Sequence, residues 1–180
     1  MKEEIQRQLD AYIDQIPDKM KQLKVLYAEN GGDAEDLDLS PESLVPLWRW
    51  FISTVKTVQL SNREFRKKKK QCPEYTWEYL DDWEIERESL SIAMDIGIYF
   101  GKVIIAKYPK MKWGIFELPK HAGDVIEPVL VHPKGGQCCP SRILRMLTTK
   151  AAEKNSSPEE LYEALHENTK RFRAFTGDQE

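Results

Sequence analysis

The chain has 180 residues, of which 41% are hydrophobic and 32% are charged, and its formal net charge is −3. This composition predicts a folded protein with a core of its own and argues against a wholly disordered chain. The start of the sequence lacks the basic and then apolar pattern of a signal peptide, and the three cysteines show no disulfide framework. We therefore expect a cytoplasmic protein with reduced thiols.

The first 32 residues carry apolar side chains at helical spacing and predict an amphipathic helical arm. Pro17 predicts an interruption of this arm, because proline lacks the amide donor that a helix interior needs. Gly31 and Gly32 predict its end. The domain prediction is one domain over residues 1–180, with the arm at 1–32 and an α+β core at 40–173.

The segment after the arm is acidic and predicts a solvated linker at residues 33–38. Ser40 and Pro41 are typical of a helix start. Pro46 lies inside the apolar pattern that follows, so we expect a kink or a delayed start there. The same pattern predicts an apolar helix face that extends to Val58.

Two blocks of opposite charge follow. Residues 62–70 hold six cations and one acid, whereas residues 74–88 hold seven acids and one arginine. Within the acidic block, the alternation of Tyr75, Trp77 and Tyr79 favours a short strand. The i, i+4 spacing of Tyr75, Tyr79 and Trp83 also fits a helix. Both interpretations stay open.

A long apolar helix is predicted from about Asp82 to Lys107. Its wheel has one narrow polar stripe, formed by Glu88, Ser91, Asp95, Tyr99 and Lys102. Gly97 and Gly101 lie away from that stripe, where a missing side chain lets another element approach closely. The charges at Asp95 and Lys102 interrupt the apolar run, so we expect no membrane span.

Two strands and two helices are predicted after this helix. The strands are MKWGIFEL and IEPVLVHP, and Pro128 predicts that the second strand lies at a sheet edge, since proline cannot donate to a ladder. One helix is predicted to start near Cys139 and Pro140. The other opens with a capping-box pattern at Ser157 and Glu160.

The core of the sequence resembles a group of small, largely uncharacterised bacterial α+β domains, which includes presumed immunity proteins of polymorphic toxin systems. The resemblance covers roughly residues 84–165. It rests on three motifs: Ile96-Gly97-Ile98-Tyr99-Phe100-Gly101, Lys112-Trp113-Gly114 and Glu127-Pro128-Val129. It implies a cytoplasmic protein that neutralises a toxin by binding, and it carries over no catalytic residue.

These observations predict an α+β fold, mostly helical, with a small antiparallel sheet packed on the central apolar helix. The functional hypothesis is a non-enzymatic protein-binding module whose partner is, for example, a basic toxin domain. Aromatic side chains supply contact area, and clustered carboxylates attract a basic partner. The candidate binding residues are Tyr75, Trp77, Tyr79, Asp81, Asp82 and Glu84. The alternative for the aromatic residues is burial of Trp77 and Trp83 in the core.

Two other functions stay open. The first is a nucleic-acid-associated protein that uses the basic run at residues 66–70, which the net acidic chain and the adjacent acidic block disfavour. The second is an enzyme whose site combines distant side chains such as His121 and His132 with Cys138 or Cys139. No motif assigns a metal, because zinc ligands usually come in spaced pairs, and no cofactor is expected.

Overall fold

The structure is a computed structural model that describes residues 2–115 and 127–176. Its α-helices are α1 (Lys2–Glu29), α2 (Leu44–Thr54), α3 (Asn62–Lys70), α4 (Arg87–Lys107), α5 (Pro140–Ala152) and α6 (Glu160–Thr176). Its strands are β1 (Thr57–Gln59), β2 (Trp83–Ile85), β3 (Lys112–Ile115), β4 (Pro128–Val131) and β5 (Gln137–Cys138). Short 3₁₀ helices span Ala34–Asp36 and Glu74–Tyr79. The predicted α+β, mostly helical fold is confirmed.

The centre of the fold is α4, which packs against α1, α2 and α5. Its interior face is apolar along most of its length and is fully buried at Ile96, Phe100 and Ile104. By length and composition α4 is able to cross a membrane, and 56% of its most apolar window is buried inside the protein. A core helix meets the same criterion, so the apolar run is explained by packing on its neighbours.

The two glycines of α4 are contact points, as the sequence predicts. At Gly97 an added Cβ would meet Leu144 of α5 at 3.7 Å, which is ordinary contact. At Gly101 it would lie 2.6 Å from the indole ring of Trp113 on β3. Gly101 therefore accommodates the sheet, and Gly97 faces α5.

The sheet beside α4 is antiparallel in the order β3-β4-β5. The prediction that Pro128 marks an edge strand is wrong, because β4 is the central strand. Proline is tolerated there because β5 is only two residues long and pairs with Leu130 and Val131. Pro128 pairs with Ile115 of β3 alone.

The N-terminal arm is one continuous helix, so the predicted interruption at Pro17 is wrong. Pro17 is exposed, and packing of the neighbouring apolar turns compensates for the one hydrogen bond that proline cannot make. The helix ends before Gly31, whose φ of +89° is the left-handed conformation that glycine adopts readily. Tyr12 meets the Trp113 ring edge-on at 5.3 Å, which fixes the arm on the core.

The segment between α1 and β1 differs from its prediction at two points. The acidic linker is not entirely solvated, because Leu37 is only 1% exposed and belongs to the core. The helix α2 begins at Leu44, so Pro46 lies in its first turn and the delayed start is the correct alternative. Val58 does not extend the apolar face of α2, because the helix ends at Thr54 and Val58 lies exposed in β1.

The start and the polar stripe of α4 also differ from their predictions. Residues 83–85 form β2, and the helix begins at Arg87 instead of Asp82. Tyr99 is fully buried. Its hydroxyl lies 2.6 Å from the Ser43 hydroxyl and accepts a hydrogen bond from the Leu39 amide at 3.1 Å. A tyrosine whose only polar atom is paired can enter the core, which the helical wheel alone does not reveal.

The C-terminal helices begin close to their predicted positions. Cys139 occupies the N-cap position of α5 without a capping hydrogen bond from its side chain, and Pro140 is the first residue of the helix. The capping box between Ser157 and Glu160 is not formed, because the Glu160 carboxylate accepts hydrogen bonds from the neighbouring Ser156 and from Lys150. Ser156 also accepts a hydrogen bond from the Trp48 indole at 3.1 Å, which ties this turn to α2.

Candidate functional site

The predicted binding residues lie on a chain segment that projects from the core, residues 57–85, which we call the excursion. It leaves the core along β1 and returns along the antiparallel β2. Backbone hydrogen bonds extend this pair at both ends, from Leu60 to Asp82 at 2.8 Å and from Glu86 to Lys56 at 2.9 Å. No residue of the excursion is buried. A two-stranded ribbon of this kind is only marginally stable by itself.

The excursion contains α3 and the 3₁₀ helix Glu74–Tyr79, and two lysines of the basic run hold these parts together. The Lys68 ammonium donates to the carbonyl oxygens of Asp81 at 3.0 Å and Trp83 at 3.2 Å. The Lys69 ammonium lies over the rings of Phe65 and Trp77, at 4.7 and 5.7 Å from their centres. Such cation–π contacts contribute about 0.5–1 kcal/mol each at exposed sites.

The three aromatic candidates divide into two roles. Tyr75 and Tyr79 are 79% and 78% exposed, so their rings are available to a partner. Trp77 is half-buried, and its indole N–H donates to the carbonyl oxygens of Lys69 and Cys72, at 2.9 and 3.2 Å. Trp77 therefore organises the 3₁₀ helix beneath the exposed tyrosines.

The acidic candidates lie directly after these tyrosines. Asp81 and Asp82 are exposed. The side chain of Glu84 is 58% exposed and lies 3.9 Å from the Lys68 ammonium, which neutralises part of its charge. Trp83 is half-buried and, like Trp77, is not a member of the hydrophobic core cluster. Two free carboxylates and two exposed phenol rings thus follow each other within eight residues.

The side chains of the enzyme hypothesis are only partly described. His121 lies outside the described residues. The Nδ1 atom of His132 accepts a hydrogen bond from the Lys134 amide at 3.2 Å. Burial raises the pKa of the Cys138 thiol to about 12. A protonated thiol is a poor nucleophile, so Cys138 is best described as a core residue of β5.

Cys139 belongs to a polar cluster at the start of α5. Its thiol lies 3.2 Å from the Ser141 hydroxyl, and Ser141 donates to Glu127 at 2.6 Å. Arg142 also donates to Glu127 at 2.6 Å. Burial opposes ionisation of Glu127, but the hydrogen bonds from Ser141 and Arg142 outweigh it and lower the pKa of the carboxyl group.

This cluster has a structural explanation, because it ties the chain before β4 to the first turn of α5. Burial raises the pKa of the Cys139 thiol despite its position at a helix start. Within residues 2–115 and 127–176, no three histidine, cysteine, aspartate or glutamate side chains are arranged to hold a metal ion.

No protein-family model, curated protein or solved structure matches this chain.

Proposed function

We propose that this chain is a cytoplasmic, non-enzymatic protein-binding module that neutralises a basic toxin-type partner by covering its functional surface. The binding face consists of Tyr75, Tyr79, Asp81 and Asp82. The observation that supports it best is the exposure of both tyrosines, at 79% and 78%, on a segment without a single buried residue.

The exposed tyrosines and the ribbon that carries them do little to stabilise the free chain. Exposed phenol rings gain nothing for the free chain, and a ribbon without buried residues contributes little to folding. In a complex, the same rings provide rigid contact area, and tyrosine is among the residues that contribute most to binding energy. A segment that is marginal alone and rich in such residues is suited to packing against a partner.

The carboxylates of Asp81 and Asp82 give this surface a negative charge. Asp81 and Asp82 are exposed and have no ion pair within the described residues. Charges of this kind raise the rate of encounter with an oppositely charged protein and reject partners of like charge. A basic partner is therefore favoured.

Charge reversal tests the electrostatic part of this proposal. Once the partner is purified, Asp81→Lys with Asp82→Lys is expected to slow association and to weaken its salt dependence, because the steering charges change sign. Glu84 is left unchanged, since a lysine there would lie beside Lys68 and disturb the excursion itself. Equal association rates for this variant and the wild-type chain would contradict the proposal.

A matched control separates local from overall charge. Asp14 and Asp18 are exposed aspartates on α1, and reversing both to lysine changes the net charge by the same amount. The control is expected to bind as the wild-type chain does. Far-ultraviolet circular dichroism and thermal unfolding of both variants check that each one is folded.

A further inference from the structure

The helix α3 carries a row of cations that the proposed function does not use. Arg63, Arg66, Lys67 and Lys70 lie at positions i, i+3, i+4 and i+7, which places them within an arc of about 100° on one helix face. We call these four residues the α3 stripe. All four are exposed, and none forms an ion pair with an acid of the described residues.

The α3 stripe lies on the side of α3 opposite the face that packs on the rest of the excursion. The packing face is formed by Phe65, Lys68 and Lys69, which contact the 3₁₀ helix and β2. On a helical wheel the centre of this face lies about 160° from the centre of the stripe. The basic run therefore has two faces. Lys68 and Lys69 pack on the rest of the excursion, and the cations of the α3 stripe lie on the opposite side of the helix.

We propose that the α3 stripe binds the phosphate backbone of a nucleic acid strand. The stripe repeats its charges along one line over about 10 Å of helix, and a nucleic acid strand presents phosphates in a comparable regular row. Both arginine and lysine are suited to this contact, arginine by bidentate pairing and lysine as a point charge.

Insertion into a lipid surface is disfavoured by the composition of the stripe's face. A helix that binds in a membrane interface needs apolar side chains beside its cations. The only apolar residue of α3 is Phe65, which lies on the packing face.

The neighbouring acids do not cancel the stripe at moderate salt. The Lys68 ammonium contacts the backbone carbonyl oxygen of Asp81 and the carboxylate of Glu84, so the backbone of Asp81 and the side chain of Glu84 lie beside the packing face of α3. A helix is about 10–12 Å in diameter, and the screening length in about 0.1 M salt is near 10 Å. A phosphate bound at the stripe is thus largely screened from these carboxylates.

The stripe and the proposed protein-binding face use different side chains, so each proposal stands or fails independently. The test measures the affinity for a labelled, mixed-sequence DNA strand of about 20 nucleotides by fluorescence anisotropy over a range of salt concentrations. The same DNA as a duplex and vesicles of an anionic phospholipid serve as further probes.

Four phosphate contacts give an expected slope of log K against log salt of about −2.8 for the single strand and about −3.6 for the duplex. For the single strand, this corresponds to a loss of affinity of about 50-fold between 50 and 200 mM salt. Replacing all four stripe residues by glutamine is expected to abolish this salt-dependent binding. Glutamine keeps a high helix propensity, so α3 itself should be preserved.

The matched control removes two arginines and two lysines that are exposed elsewhere in the fold. These residues are Lys21, Arg49, Lys107 and Arg145. The glutamine variant of this set has the same net charge as the stripe variant and is expected to keep the affinity and the slope. An equal loss in both variants would overturn the proposal, because it would assign binding to diffuse charge.

Two other results would also overturn it. One is the absence of binding to either form of DNA at about 20 mM salt, where phosphate contacts are strongest. The other is stripe-dependent binding to the anionic vesicles without binding to DNA, which would identify a lipid surface as the ligand.

Discussion

The close approach of Trp113 to Gly101 leads to a sharp prediction about the core. In Gly101→Ala, the new Cβ would lie 2.6 Å from two carbons of the indole ring. The ring is a rigid group that also packs against Tyr12 at 5.3 Å. Forcing an extra methyl group into a packed site costs about 1–3 kcal/mol. Replacing glycine by alanine inside a helix returns about 0.5–1 kcal/mol, so we expect a net loss of about 0–2.5 kcal/mol.

The second glycine of α4 supplies the matched control. In Gly97→Ala the nearest side-chain atoms are 3.7 and 3.9 Å from the new Cβ, both on Leu144. These are ordinary contact distances. The helix-propensity gain is the same as at Gly101, so Gly97→Ala is expected to stabilise the protein by about 0.5–1 kcal/mol.

Urea unfolding of the three proteins at one temperature measures both changes. The difference between the two variants removes the propensity gain and leaves the overpacking cost of about 1–3 kcal/mol. In a Trp113→Leu background the penalty of Gly101→Ala should largely disappear, because the obstructing ring is gone. Equal stability of the Gly101→Ala and Gly97→Ala variants would refute the packing of β3 on α4 at this point.

Three further predictions follow from buried polar groups. Burial raises the pKa of Asp95 more than the adjacent lysine lowers it, so the native state binds this proton more tightly than the unfolded state. The contribution of Asp95 to the free energy of unfolding should therefore fall as pH rises through the interval just above the ordinary carboxyl pKa. In urea titrations, the stability of the wild-type chain relative to Asp95→Asn should decrease over that interval, whereas carboxyl groups with lowered pKa values, such as Glu127 and Glu160, contribute equally to both proteins. Tyr99→Phe leaves the backbone amide of Leu39 without its partner and should cost about 1–3 kcal/mol in thermal unfolding. The Ser43 hydroxyl loses one partner but keeps its hydrogen bond to the Ser40 carbonyl oxygen. The Cys138 thiol should resist alkylation in the native protein and react after unfolding, since burial raises its pKa to about 12; rapid native alkylation would contradict its place in the core.

The parts of the fold that could be predicted are those with a long periodic signal. The helix α4 is apolar over five turns, so the sequence predicts it clearly. Gly97 and Gly101 are the residues of this helix without a side chain, so the sequence also predicts its points of close contact. Pro140 predicts the start of α5, because proline is favoured in the first turn of a helix. The exposure of Asp81 and Asp82 also agrees with the interpretation of the acidic block as a surface.

The parts that could not be predicted depend on tertiary contacts. The strands β1 and β2 are three residues each, too short for a period of two to be distinguished from chance. The sequence pattern groups Trp77 with the tyrosines, but in the structure its indole N–H donates to the carbonyl oxygens of Lys69 and Cys72. The sequence alone does not predict which cations of the basic run pack and which face outward, because this depends on the position of α3 in the fold.

The most direct test of the central claim is affinity capture from the source cells with three tagged baits. These are the wild-type chain, the variant Tyr75→Ala with Tyr79→Ala, and Met146→Ala, which removes a 58% exposed apolar side chain far along the sequence on α5. We expect one basic protein at equal stoichiometry with the wild-type and Met146→Ala baits, and at least about tenfold less with the tyrosine variant. Recovery of the same protein in equal amounts with all three baits, or with none of them, would contradict binding through the excursion.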